Sequence, residues 1–519
     1  MLAEVSGGWR SRSGRSSRIL KLCIIASFMA SISAPGIAVV SSKNFTNVVA
    51  EYLKDRSRLD EQIEVLRRST GLWEWAVKVY NTTLYDFATS GNPHIGVIGD
   101  DGWMFLGDMH QDSFSQSIHR QVLAGDGLQN WVNTLDIQRR WLARHGIPLI
   151  FVVAPSQASI YPEKLPAWTK KWLNNASSLD RVIESGRDLP IVDVRPALRE
   201  WRGRGNTYSR LNSHWTDFGA WVAWREIAER IKQIFPNFVA FGPDDLDGIE
   251  TLPDYASEFK DLLNIEAPNP WDRYVLSRPF PDFRFIDADG NSHSAVGATQ
   301  TDIRDLPRRT INIQSANKLK AMVLRDSQGT ALSPFLQASF LETIQLSHHW
   351  TQYPKDRINF TAAIEQYKPN LVIYIMTERY MEVPLGNYFY WYSLDAFDSI
   401  SEDHEFVWTA GAPDQKDIKV AGDLTLSAGL SIVSNPDSAP KTQSVLKVTF
   451  NATGYGTAIA EYDLNGQRVR LGEEYWKGSN ELYFNLPPKV DINRITLIKD
   501  LETSGAIALQ GIVIRQRYQ

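Results

Sequence analysis

Four short runs constrain the fold of this chain more than anything else in it. Ile147–Val153, Ile191–Val194, Lys320–Leu324 and Leu371–Ile375 are apolar at almost every position, with Ile344–Leu346 a shorter fifth. Successive side chains of a strand point to opposite faces, so a strand without alternation must be covered on both sides. The covers are also visible. Trp131, Leu135, Trp141 and Leu142 recur at helical spacing before the first run, and a helical stretch up to Gly186 follows it. Ala220, Ala223, Trp224, Ile227 and Ile231 form another such face, and Asn359–Tyr367 precedes the last run. Strand and helix in alternation predict an α/β domain built on a parallel sheet flanked by helices.

At 519 residues the chain is too long for one core. Beyond Ser401 the period changes to two: Leu446, Val448 and Phe450 alternate with Lys447 and Thr449, and Leu482, Phe484 and Leu486 with Tyr483 and Asn485. With Asn465-Gly466 as a hairpin turn, residues 401–519 read as an antiparallel β-sandwich. Residues 44–400 then hold the α/β domain, opening with a helical stretch to about Asp86 and a hairpin about Asp101-Gly102. Phe235–Asn317, rich in Pro, Asp and Arg, reads as an insertion of loops and small hairpins. At the start, Arg10, Arg12, Arg15 and Arg18 precede an apolar run from Ile19 to Val40, so residues 1–43 read as a signal peptide or membrane anchor and the remainder as exported.

Composition narrows the function. A net charge of -5 and the lack of a basic tract argue against nucleic acid. The single cysteine, Cys23, excludes an internal disulfide and a thiolate-rich metal site. His348-His349 and the group Asp108, His110 and Asp112 have no spacing that selects an ion, and no phosphate loop is present; no metal and no cofactor are implied. The 17 tryptophans favour a carbohydrate partner, because flat rings stack on the C–H faces of sugars. Trp408, Tyr475, Trp476 and Tyr483 are candidates for a sugar-binding face in the sandwich, with core packing the competing role.

The run Met322–Leu324 stops at Arg325-Asp326-Ser327, which sets a serine at the carboxyl end of a strand, where ligands of open α/β sheets collect. A serine hydroxyl attacks poorly until a base takes its proton, and His214, just ahead of a helical face, is the candidate. A third group must orient the imidazole. The Ser327 backbone N–H is the expected oxyanion donor. Arg379 is a candidate for a substrate carboxylate, against an ion pair with Glu378 or another acid of the fold.

Five segments in order carry a resemblance: Gly99–Leu106 (Gly-Asp-Asp-Gly-Trp-Met-Phe-Leu), Ser159–Pro166, His214-Trp215 with Gly219-Ala220, Asp326-Ser327, and Glu378-Arg379-Tyr380. Together they resemble the SGNH hydrolase-like domain of alginate O-acetylation proteins, the AlgX and AlgJ type. The resemblance implies a periplasmic or membrane-tethered O-acetyltransferase that acts through an acetyl-serine on hydroxyls of an exopolysaccharide. It also implies an acetyl supply from a separate membrane-bound acyltransferase, a place in a polysaccharide secretion complex, and a carbohydrate-binding sandwich behind the catalytic domain.

Three positions depart from the family pattern. Asn212 stands where an aspartate is expected two residues before the histidine, Ser156-Gln157 where a lysine is expected, and Gln328 where an aromatic residue is usual. An amide can orient an imidazole but cannot balance an imidazolium, and the corresponding Asp to Asn change in a serine protease lowers kcat by about 10⁴-fold. Three readings stay open: another carboxylate serves, with Asp217 and Asp326 nearest in sequence; Asn212 serves at reduced rate; or the domain binds acetylated polysaccharide without turning it over. An O-acetylesterase uses the same serine chemistry and is the alternative enzyme.

Overall fold

The computed structural model describes residues 71–516 apart from 186–187, 256, 288–289, 296–305, 307, 349–358, 386–387, 401–404, 409–443, 488–491 and 500–506. The Ile19–Val40 run lies outside the described residues, and among them no helix is long and apolar enough to cross a membrane.

Helix α1 (Gly71–Asp86) leads into the hairpin β1 (Gly96–Ile98) and β2 (Met104–Leu106), whose turn holds Asp101 and Gly102 at φ 55° and 71°. Helix α2 (Gly125–Arg144), β3 (Leu149–Ala154) and β4 (Ile191–Val192) follow. The expected helical stretch between β3 and β4 is instead broken into single turns and one short helix, Ser178–Glu184. Pro162 and Pro166 account for the break, since a proline inside a helix removes a hydrogen bond and clashes with the preceding turn. Helix α3 (Asp217–Ile234) is next. Then come β5 (Leu246–Leu252), α4 (Glu258–Leu263), β6 (Trp271–Leu276), β7 (Phe283–Ile286), β8 (Ser292–Ala295) and β9 (Arg308–Ile311). Strands β10 (Lys320–Arg325), β11 (Glu342–Ser347) and β12 (Leu371–Thr377) complete the domain, with α5 (Phe360–Tyr367) before β12 and α6 (Tyr388–Ser399) after it.

The central sheet runs β4-β3-β12-β10-β11-β9-β7-β8. Its first five strands are parallel, as expected, but β9, β7 and β8 extend it antiparallel. The 235–317 segment is therefore not wholly an appendage: Thr310 pairs with Thr343 and covers the open edge of β11, which would otherwise present unpaired backbone groups. Among the described residues β5 and β6 form a separate small hairpin there, as anticipated.

The strands are apolar throughout because both faces are buried. Ile150, Val152, Val323, Ile373 and Ile375 meet Trp221, Trp224 and Ile227 of α3. Their alternates Phe151, Val153, Met322, Leu324 and Tyr374 meet Trp131, Leu135 and Leu142 of α2, together with α5 and α6. The parallel strands end on one side, and β10 delivers Ser327 there.

The C-terminal region holds β13 (Glu405–Trp408), β14 (Ser444–Ala452), β15 (Gly456–Leu464), β16 (Gln467–Tyr475), β17 (Gly478–Leu486), β18 (Ile492–Lys499) and β19 (Ile507–Gln516). They form two antiparallel sheets, β13-β19-β14-β17 and β16-β15-β18, and Asn465-Gly466 makes the tight turn of β15 and β16. Tyr475 and Tyr483 do not face sugar. Tyr475 packs on Phe450 inside the sandwich, and Tyr483 lies buried against Tyr390 and Phe397 of α6.

Candidate active site

The position of Ser327, the candidate nucleophile, follows from a local hydrogen-bond demand. Leaving β10, the chain turns into a short 3-10 helix over Ser327–Leu332, and Asp326 caps it by accepting the Gln328 N–H at 2.9 Å. The other carboxylate oxygen of Asp326 accepts from the backbone N–H and the hydroxyl of Thr377, both at 2.7 Å, at the end of neighbouring β12. With Asp326 turned inward and both oxygens engaged, Ser327 is left exposed at the carboxyl end of β10.

The histidine arrives on a separate segment tied to the same turn. Trp215 Nε1–H donates to the Gln328 carbonyl at 3.0 Å, and the Gln328 side-chain amide donates to the Ser213 carbonyl at 3.1 Å. Thr216 caps α3 through the Gly219 N–H, which fixes where the loop ends. Gln328, a departure from the family pattern in the sequence, is thus a strut between the two segments. Gln157, from a second of the three departures, holds the loop from the opposite side by donating to the Ser209 carbonyl at 2.6 Å.

His214 Nε2 lies 2.9 Å from Ser327 Oγ, and Nδ1 lies 3.0 Å from Asn212 Oδ1. The Asn212 oxygen also accepts the His214 backbone N–H at 3.0 Å, which establishes that it is the oxygen and not the amide nitrogen facing the ring. Nδ1 therefore carries the ring proton and Nε2 is the acceptor for the serine hydroxyl, the tautomer that proton abstraction requires.

The two carboxylates nearest in sequence do not serve this histidine. Asp326 is committed as described, and Asp217 pairs with Arg273 at 3.1 Å. The carboxylate that reaches His214 is Glu258, from the first turn of α4, with Oε2 3.6 Å from Nδ1. Sequence reading missed it because it lies in the irregular insertion, 44 positions downstream of His214, with no motif around it. Burial alone would push its carboxyl up, but the hydrogen bond and charge of His214, the Ser213 hydroxyl and the charge of Arg379 outweigh burial and hold it at about 2.

Arg379 sits beside the site with its guanidinium over the Tyr380 ring, and its charge is felt by both Asp326 and Glu258. Glu378, the expected alternative partner, instead accepts from the Ser156 N–H at 2.6 Å and the Ser159 hydroxyl at 2.7 Å. Trp476 is half-buried in the turn after β16, where Asn480 brackets its backbone. Trp408 pairs with Ile512 across β13 and β19, and its side chain lies outside the described residues. Three of the six expected site residues are therefore brought into direct contact, with Arg379 next to them and the two tryptophans in the sandwich region. Among the described residues no group of three or more His, Cys, Asp or Glu side chains could hold a metal ion.

Residues 97–256 match the family described as SGNH hydrolase-like domain, acetyltransferase AlgX. The chain is 26% identical over 204 residues to the "Probable alginate O-acetylase AlgJ" of Pseudomonas aeruginosa, covering 39% of this chain and 47% of that one. It is 25% identical over 176 residues to the protein of the same name from Azotobacter vinelandii, covering 34% and 41%. The chain thus spans about half the length, or less, of these curated relatives. The solved structure of Pseudomonas aeruginosa AlgX is 16% identical and superposes with a TM-score of 0.46, covering 85% of this chain and 98% of that one. Over residues 97–256 the chain is thus similar to the SGNH hydrolase-like domain of the AlgX type, and over about two fifths of its length to proteins named as probable alginate O-acetylases.

Proposed function

We propose that this chain is a serine O-acetyltransferase acting on hydroxyls of an alginate-like exopolysaccharide outside the cytoplasm. The observation that carries the reading is the contact of exposed Ser327 with His214 Nε2 at 2.9 Å, with Asn212 on the far nitrogen. Ser327 Oγ attacks the acetyl carbonyl carbon while its proton passes to His214 Nε2. The tetrahedral oxyanion takes the Ser327 backbone N–H as donor and collapses, expelling the donor's oxygen, which receives the proton from His214. A sugar hydroxyl then attacks acetyl-Ser327, gives its proton to His214, and leaves as the acetate ester as Ser327 is reprotonated.

An exposed nucleophile suits a polymer, which must pass across the site and cannot be enclosed by it. Arg379 is assigned to a substrate carboxylate, and Trp408 and Trp476 to polymer contact in the sandwich. The relatives named alginate O-acetylases support the acetyl chemistry and the polysaccharide class. We place the chain in the periplasm, tethered by its N-terminal segment, with a membrane-bound acyltransferase of the polysaccharide secretion complex as acetyl donor.

The test is acetylation of the full-length protein by an activated acetyl ester, read by mass spectrometry of the Ser327 peptide. Acetyl is expected on Ser327, and is lost in Ser327→Ala and His214→Ala. An adduct transferred to mannuronate oligomers identifies a transferase, and an adduct that only releases acetate identifies an esterase. No adduct on folded protein overturns the enzyme reading in favour of a polysaccharide-binding scaffold.

A further inference from the structure

Asn212 creates an electrostatic deficit. Its oxygen accepts the Nδ1 proton and orients the ring, but an amide offers no net charge to an imidazolium, which must form each time Ser327 gives up its proton. A buried or half-buried cation without a counter-charge is costly, so some neighbouring carboxylate should face the ring. Glu258 is so placed. Its Oε2 stands 3.6 Å from Nδ1, both side chains are 27% exposed, and the distance is that of a charge contact beside the shorter bond to Asn212.

The placement is built. Glu258 accepts the Ser213 backbone N–H at 3.2 Å and the Ser213 hydroxyl, and these bonds aim it at the neighbouring ring. Helix α4 is fastened to the histidine segment by the Ser257 hydroxyl and the Phe259 N–H, both donating to the Leu211 carbonyl, and Phe259 is fully buried. We propose that Glu258 is a positioning residue that replaces the missing aspartate: Asn212 sets the tautomer and orientation of His214, and Glu258 supplies the negative charge. The two functions that one aspartate would combine are divided between residues 46 positions apart. This inference rests on the acyl-serine reading above.

The charged groups around Glu258 are His214 and, on other elements, His110 and Arg379; its own helix carries Lys260, which pairs with Asp254 at 2.6 Å, and Asp261. The experiment measures the rate of acetyl-Ser327 formation against pH in the full-length protein and in Glu258→Gln, Glu258→Asp, Asn212→Asp and the double variant Asn212→Asp/Glu258→Gln, with thermal melting run on each. Glu258→Gln should slow acylation about 10²-fold, less than the ~10⁴-fold that removal of a buried triad carboxylate costs. Its acidic limb should move to lower pH, because a carboxylate that favours the imidazolium has gone. Glu258→Asp keeps the charge and should hold the limb in place. In the Asn212→Asp background a carboxylate already touches Nδ1, so Glu258→Gln should cost less than about threefold there. An equal loss in both backgrounds, or Glu258→Asp behaving as Glu258→Gln does, overturns the proposal and leaves Glu258 a structural anchor. Absence of any adduct in the unsubstituted protein overturns instead the acyl-serine reading on which it stands.

Discussion

A carboxylate one position before an exposed serine invites a catalytic role, yet Asp326 spends both oxygens on the backbone and side chains that shape the turn. Its side chain is only 9% exposed, and burial would raise its pKa; the nearby His348, Arg379 and Thr377 outweigh that and hold it well below the usual carboxylate range. Asp326→Asn keeps the shape but loses charge-assisted bonds, and should lower the unfolding free energy by roughly 2 to 3 kcal/mol in a urea titration at pH 7. The pH dependence has a definite sign. Asp326 and Glu258 have depressed pKa values in the folded state, so the stability they contribute is fully present above about pH 4, the unfolded value, and is lost as pH falls toward the folded values, about 2 for Glu258. Urea midpoints should therefore fall steeply below pH 4, and less steeply in Glu258→Gln. Ser327, His214 and Asn212 were legible as residue types next to recognisable neighbours. Glu258 was not, since a lone glutamate in a loop-rich stretch carries no local mark of what it will face.

At the scale of elements, the strands and helices of the sheet follow from periodicity alone, because both-face burial writes itself into the sequence as unbroken apolar runs. The start of α3 shows how tightly one such element positions the histidine. Gly219 packs on the Thr207 carbonyl so closely that a Cβ would lie 2.1 Å from that oxygen. Thr207 in turn accepts the Thr216 N–H at 3.0 Å, so any shift of the helix end is passed to the loop that carries His214. Gly219→Ala gains helix propensity of ~1 kcal/mol, yet the steric conflict should outweigh it. We expect a net loss of about 2 kcal/mol by thermal melting and a parallel fall in Ser327 acylation. Strands β7, β8 and β9 were hidden because they are short, with exposed or half-exposed positions such as Arg284, Arg308 and Arg309, and their pairing depends on an edge that only the folded sheet presents.

For the whole molecule, the sandwich is not a loosely hung module. Tyr483 lies against Phe397 and Tyr390 at ring distances of 5.2 and 5.8 Å, the Arg515 guanidinium covers Phe397 at 3.9 Å, and the Asn359 side chain donates to the Ser479 carbonyl. Tyr483→Ala should cost about 3 to 4 kcal/mol, read as a lower unfolding midpoint for the α/β domain as well as the sandwich. A pair of coincident transitions that become separate in the variant would show the coupling. What the sequence determined by itself was everything that local period and local chemistry encode: the covered parallel strands, the period-two region, the two glycine turns, and a serine at a strand end with a histidine before a helix. What only the tertiary structure decided was which distant groups meet. The side of the sheet that Tyr483 would cover, the commitment of Asp326 to its own turn, and the arrival of Glu258 at His214 all depend on contacts between segments far apart in the chain. Such contacts leave no periodic signal, because a side chain's partner across space imposes no regular spacing on its neighbours in sequence.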